Sequence, residues 1–245
     1  MKELTALLSS PGFILVAIIV LIVVLSYLGW NRIKGGGIEA SREVGGQDDA
    51  GKVEALKIDL EQFCEIAGAL SGLLDADPAN LEAAAHQWFS ELATRLATRL
   101  KEQRDHHYRV AIWLDDPQYR DDFVGIGRGM FDKGDTDMDR LERNFTIGGL
   151  AFVSPNMKYY CRDRRTDPNF KPRKNIPPTF ESVFGLALGD VNNRWGVMTV
   201  DARQANGFPD DTQWLIQRFG DLASVGAATW YARVPQTGPP GGTPS

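Results

Sequence analysis

The residues of this 245-residue chain with the clearest chemical potential are cations. Arg162, Arg164, Arg165, Lys171, Arg173 and Lys174 crowd one short stretch, offset only by Asp163 and Asp167. Guanidinium forks hold phosphate or carboxylate well, so Arg162, Arg164 and Arg165 are the first candidate ligand-binding residues. The competing reading is a solvated loop, or one that lies against anionic lipid or an acidic partner. Gly125 and Gly127, within Gly125-Ile126-Gly127-Arg128-Gly129, are the second candidate set. The run lacks both the G-x-G-x-x-G spacing of a dinucleotide loop and the Gly-Lys-Ser/Thr ending of a phosphate loop. Strand glycines that face a pocket, or the backbone of a packed helix, are the better reading.

Other reactive residue types form no recognisable constellation. Asp132, Asp135, Asp137, Asp139 and Glu142 could chelate calcium, but Arg140 and Thr146 stand where a calcium loop needs glycine and a bidentate Glu. A solvated acidic loop is expected instead. His86, His106 and His107 have no acidic or cysteine partner at ligand spacing. Cys64 and Cys161 show no CxxC pattern, so neither a disulfide framework nor a zinc site is expected. There is no Gly-x-Ser-x-Gly elbow. No motif requires a cofactor, and the chain is read as a non-enzyme, with redox chemistry at Cys161 as the rival. A net charge of −5, 24% charged and 43% apolar residues describe an ordinary globular protein with no drive towards nucleic acid.

The elements that must position these residues follow in order. Phe13 to Leu28 carries no charge and Trp30 follows as an interfacial anchor. Through Trp30 the run is 18 residues, at about 1.5 Å each roughly 27 Å of helix, close to a bilayer's hydrocarbon core. The run is long for a cleaved signal peptide and no small-x-small site follows it, so 13–30 is predicted to span a membrane. Arg32, Lys34 and Arg42 after the span place the bulk of the chain in the cytoplasm, at the inner face of the cell membrane. Residues 31–52 read as a glycine-rich tether. Val53, Leu56, Leu60, Phe63, Ala67, Leu70 and Leu74 then recur at spacings of three and four, a seam on which two helices could interlock as a homodimeric stalk. Ile58, Ile66 and Leu73 broaden the stripe, as in a helix packed on its own domain.

Asp77 and Pro78 read as the cap and first position of a second helix carrying Leu81, Ala85, Trp88, Leu92, Leu96 and Leu100 on one face. Tyr108 to Leu114 alternates as a first strand and Phe123 to Met130 as a second, its three glycines all on one face. A loop or ragged helix is expected up to Asn144 and a third strand over Met157 to Cys161. Val183 to Leu188 and Trp195 to Val200 are short apolar runs separated by Gly189, Asp190, Asn192 and Asn193, the pattern of a hairpin. Asp210 or Asp211 then caps a closing helix with Trp214, Leu215, Phe219, Leu222 and Val225 at helical spacing. Residues 235–245 read as a disordered tail.

This order of elements resembles a GAF domain, the small ligand-sensing module of signalling proteins. The residues that carry the likeness are Gly148 to Val153, Asp167-Pro168-Asn169-Phe170, Gly185 to Leu188, Gly196 to Asp201, Phe208 and Asp211. The resemblance spans roughly Arg109 to Ala232. It implies an α+β fold: an antiparallel sheet of five to six strands flanked by helices, with a short helix over Thr146 to Val153, following the anchor and stalk. It also implies a ligand cavity bordered by the basic stretch after Cys161. The histidine that accompanies a chromophore-bearing cysteine in some relatives is absent, since Arg162 follows Cys161. The asparagine-lysine-phenylalanine-aspartate-glutamate motif of cyclic-nucleotide binders is absent too. The domain plan is therefore 1–12 leader, 13–30 span, 31–52 tether, 53–104 stalk and first domain helix, 105–234 sensory domain and 235–245 tail. Its expected partners are the membrane, a second copy and an unidentified protein that receives the signal in trans, the alternative being a non-liganded, membrane-tethered interaction scaffold.

Overall fold

A computed structural model describes residues 65, 66, 68–104, 106–115, 121–129, 140–144, 146–171 and 179–234. The expected span at 13–30, the tether, Leu56, Leu60 and Phe63 of the stalk seam, Cys64, the acidic run at 132–139, Arg173, Lys174 and the tail lie outside the described residues. Among the described residues no helix is long and apolar enough to cross a membrane. The chain divides into two compact units, Met1–Asp75 and Ala76–Ser245. In the first, residues 68–75 are helical, with Leu70 and Leu74 of the seam one turn apart.

The second unit opens on a turn rather than a capped helix. Asn80 donates its amide to the Asp77 carbonyl at 2.8 Å, and the Asn80 carbonyl accepts the first helical bond from Ala84 at 2.9 Å. Helix α1 thus begins at Leu81 and runs to Arg104, three residues later than Asp77-Pro78 suggested. Its apolar side, Ala85, Trp88, Phe89, Leu92, Ala93, Leu96 and Leu100, is buried at helical spacing.

Among the described residues six antiparallel strands follow: β1 (Tyr108–Asp115), β2 (Asp122–Gly129), β3 (Arg140–Glu142), β4 (Lys158–Cys161), β5 (Ser182–Gly189) and β6 (Arg194–Ala202). Their spatial order is β3-β2-β1-β6-β5-β4, so β1 and β6 are central. Helix α2 (Ile147–Val153) lies between β3 and β4 in the chain, and α3 (Asp210–Arg233) closes it. The strand expected third is therefore fourth, because Arg140–Glu142, expected as loop or ragged helix, pairs with β2 through Phe123 and Leu141. A three-residue strand with one buried apolar side chain leaves no periodicity to read.

The glycines of β2 do not share one face, contrary to the alternation expected. A β-bulge between Ile112 and Trp113 sets Gly127 opposite Ile112 and Gly125 opposite Trp113, residues that face opposite sides of the sheet. On the Gly127 side α1 presses against the strand. A Cβ on Gly127 would stand 2.5 Å from the Phe89 carbonyl carbon, and one on Gly129 would overlap the Ala93 backbone. Helices α1 and α3 cover this face of the sheet, where α3 seats Gly220 on Leu186 and Gly226 on the Trp88 ring.

The β5–β6 hairpin forms where the apolar runs placed it. Asp190 donates its amide to the Asn193 carbonyl at 2.9 Å, and its carboxylate accepts from the Asn192 and Asn193 amides at 2.7 and 2.8 Å. Those amide bonds hold the Asp190 carboxyl below the usual range. Gly189 supplies the φ of 119° that the turn needs. At the start of α3 the cap is Pro209, with no side-chain cap bond. Asp211 instead accepts from the Thr212 amide at 2.8 Å and pairs with Arg104 at the far end of α1. The aspartate expected to cap one helix therefore ties two together.

Candidate functional site

The face of the sheet away from α1 and α3 carries α2 and most of the polar chemistry. Thr146 caps α2, accepting from the Gly149 amide at 3.1 Å while its hydroxyl donates to the Glu142 carbonyl at 2.6 Å. Glycines let the helix lie close. A Cβ on Gly148 would meet the Leu141 side chain at 2.8 Å, and one on Gly185 the Ile147 carbonyl oxygen at 2.8 Å. Ala111, Trp113, Phe123, Leu141 and Val197 form the core beneath it, and Trp113 Nε1 donates to Thr199 Oγ1 at 3.1 Å.

Further along the same two central strands, Arg109 and Asp201 are cross-strand partners. Their guanidinium and carboxylate meet at 2.7 Å, with only 10% and 16% of the side chains exposed. The Phe180 ring lies 5.5 Å from the guanidinium. Phe180 in turn packs edge-to-face on Phe170 at 5.9 Å, and with Leu150 and Tyr159 both rings rest on Ile147, Cys161 and Val183. A buried charge pair under an aromatic cover is the most unusual feature of this face, because desolvating two charges costs several kcal/mol per ion before they attract each other.

The segment after β4 is pinned by its own acids. Tyr159 donates its hydroxyl to the Asp167 carboxylate at 3.1 Å and accepts from Asn169 Nδ2 at 2.8 Å. Burial pushes the Tyr159 hydroxyl pKa up. Cys161 is buried and free; burial, with Asp167 adding to it, pushes its thiol up to about 12. Thiolate formation is suppressed there, the reverse of the environment that activates a nucleophilic cysteine.

Of the three candidate arginines, Arg164 and Arg165 meet at Glu181 and Arg162 stands apart. Arg162 is exposed, its guanidinium 5.6 Å from the Tyr160 ring. Arg164 reaches Glu181 at 3.2 Å and donates its amide to the Glu181 carbonyl at 2.9 Å. Arg165 pairs with Asp163 at 3.0 Å and approaches Glu181 at 3.5 Å. Its hydrogen bonds hold the Asp163 carboxyl below the usual range. Asp163 and Glu181 thus meet the cationic charge of Arg164 and Arg165. Of the two glycines, Gly127 is covered by α1, so a helix fills the space its missing side chain leaves, while Gly125 pairs with Trp113. Among the described residues no group of three or more His, Cys, Asp or Glu side chains could hold a metal ion.

No protein-family model and no curated protein matches the sequence. Solved structures are similar in fold. A GAF domain of a phosphoenolpyruvate-protein phosphotransferase from Coxiella burnetii is 13% identical over 69% of this chain and 93% of its own, with a TM-score of 0.49. The corresponding Acinetobacter domain is 11% identical over 68% and 92%, with a TM-score of 0.48. A type II free methionine-R-sulfoxide reductase from Thermoplasma acidophilum is 12% identical over 59% and 94%, with a TM-score of 0.47. At these identities no residue role passes from those proteins to this chain. The helix over 147–153, the paired strands β5 and β6 and the closing α3 stand in the order that the sequence likeness implied.

The Arg109–Asp201 pair was missed in the sequence. Strand alternation puts Arg109 on the same side as Ala111 and Trp113, which is a signal of an inward charge. Its partner lies 92 residues away and only strand register selects it.

Proposed function

We propose that the chain is a membrane-anchored, cytoplasmic sensory module. It binds a small ligand on the α2 face of its GAF-like domain and passes the change through a helical stalk to a partner protein in trans. The single observation that supports binding is the buried Arg109–Asp201 pair on the two central strands, beneath Phe180. Buried ion pairs are weak contributors to stability, so a charged pair kept in a sheet core points to a binding or positioning role. Arg164 and Arg165 pair with Glu181, next to Phe180 in the chain, and Gly125 lies on that face opposite Trp113. Arg162 instead lies over Tyr160, whose ring packs with Phe184 and Phe208 on the other side of the sheet. A ligand acts by its differential affinity for two arrangements of the domain. The stalk seam of Leu56, Leu60, Phe63, Leu70 and Leu74 is the element proposed to respond as a homodimer.

A second reading has its own support. Phe170, Phe180, Leu150 and Tyr159 already pack on Ile147, Cys161 and Val183, as they would in a ligand-free interaction scaffold. Native mass spectrometry of the full chain purified from cells decides between them. The sensor reading expects a retained small mass that Arg109→Met removes. A mass equal to the bare polypeptide, with partner proteins still captured, supports the scaffold and overturns the sensor.

A further inference from the structure

Asn206-Gly207 is the sole Asn-Gly pair in the sequence, and it lies in the turn between β6 and α3. Asn-Gly is the dipeptide most prone to deamidation, because glycine puts no side chain in the way of ring closure. The glycine nitrogen loses its proton and attacks the asparagine Cγ. The Cγ–Nδ2 bond breaks, ammonia leaves and a succinimide forms. Water then opens either carbonyl, giving aspartate or isoaspartate.

The fold requires this labile pair and also restrains it. Asn206 holds a φ of 56°, a left-handed conformation in which asparagine is among the few tolerated side chains. Gly207 is buried, and a Cβ there would stand 2.6 Å from the Ala202 Cβ. Three consecutive amides of this turn are then tied to three different places. The Asn206 amide donates to the Arg162 carbonyl at 2.7 Å, the Gly207 amide to Ser182 Oγ at 3.2 Å and the Phe208 amide to Tyr160 Oη at 3.2 Å. The Gly207 carbonyl accepts from Tyr108 Oη at 3.0 Å. Asn206 itself is exposed to water and base.

We infer that Asn206-Gly207 is a latent deamidation site held closed by Ser182 and Tyr108, so that the modification marks molecules whose β6–α3 turn has opened. Cyclisation needs the Gly207 nitrogen deprotonated and swung away from Ser182 Oγ, which the native turn prevents. Isoaspartate adds a methylene to the backbone and moves the Gly207 and Phe208 amides off Ser182 and Tyr160. The release is one-way.

The test is peptide mapping of the full chain, incubated in mildly alkaline buffer, with separation of the peptides that carry asparagine, aspartate or isoaspartate at position 206. Hydrogen exchange of the β1 amides reports global unfolding in the same samples. Native protein is expected to deamidate at this position far more slowly than the urea-unfolded chain. Ser182→Ala should accelerate it roughly fivefold with β1 protection intact, the opening equilibrium set by one net hydrogen bond. If Ser182→Ala loses β1 protection, Tyr108→Phe carries the same comparison from the other side of Gly207. Deamidation of the native chain at the unfolded rate overturns the inference. So does a variant that keeps β1 protected and reacts at the wild-type rate.

Discussion

Arg109 and Asp201 face each other on a mainly apolar sheet surface, where their guanidinium and carboxylate meet at 2.7 Å. Arg109→Met is expected to cost about 1–3 kcal/mol in urea unfolding, because the half-buried Asp201 carboxylate loses a charge-assisted hydrogen bond. Arg109→Met with Asp201→Leu should recover most of that loss, since an apolar pair of similar volume has no charge to desolvate. A double variant as unstable as the single one would mean that the strands, rather than the charges, set the cost. Cys161 is governed by burial too. Below pH 9.0, its ordinary value, the thiol's contribution to stability is fully present. It is lost as the pH rises towards about 12, because the unfolded chain gives up that proton first. In a Cys64→Ser background, native protein at neutral pH should leave Cys161 unlabelled by a disulfide reagent, while the urea-unfolded chain reacts at once. Fast native labelling would contradict the assigned environment.

Between elements, α1 packs directly on the backbone of β2. Gly127 and Gly129 stand under the α1 backbone at Phe89 and Ala93, where no flexible side chain can move aside. Gly129→Ala should destabilise the domain by about 1–3 kcal/mol, the usual range for overpacking, read as a lower urea midpoint at unchanged slope. An unchanged midpoint would show that α1 can lift from the sheet freely. The bulge at Ile112 and Trp113 has a related consequence. It turns Gly125 away from α1 and lets Trp113 join Phe123 and Leu141 beneath α2.

At the scale of the whole molecule, the proposal depends on an anchor at 13–30 and a domain at 105–234 acting in one chain. Full-length protein is expected in the membrane pellet after an alkaline wash, and a chain lacking residues 1–30 in the supernatant. Full-length protein washed free of the pellet would remove the membrane part of the proposal while leaving the domain untouched.

Local chemistry made much of this legible from the residues. The hairpin at Gly189 to Arg194 and the apolar spacing of α1 and α3 are set by neighbours, so propensity and periodicity reached them, while the short helix α2 was implied by the family resemblance. Three features escaped. Arg140–Glu142 is a strand only because Phe123 and Asp122 offer it an edge. The bulge exists only in the pairing of β1 with β2, and the Arg109–Asp201 pair only in that of β1 with β6. By itself the chain determined which segments extend, which coil and which sides they bury, because those depend on residues a few positions apart. Tertiary structure decided which charges meet, which glycine lies under which helix and which acid neutralises which arginine. Those depend on strand register between distant segments, and a slip of one residue would turn each of them to the other face.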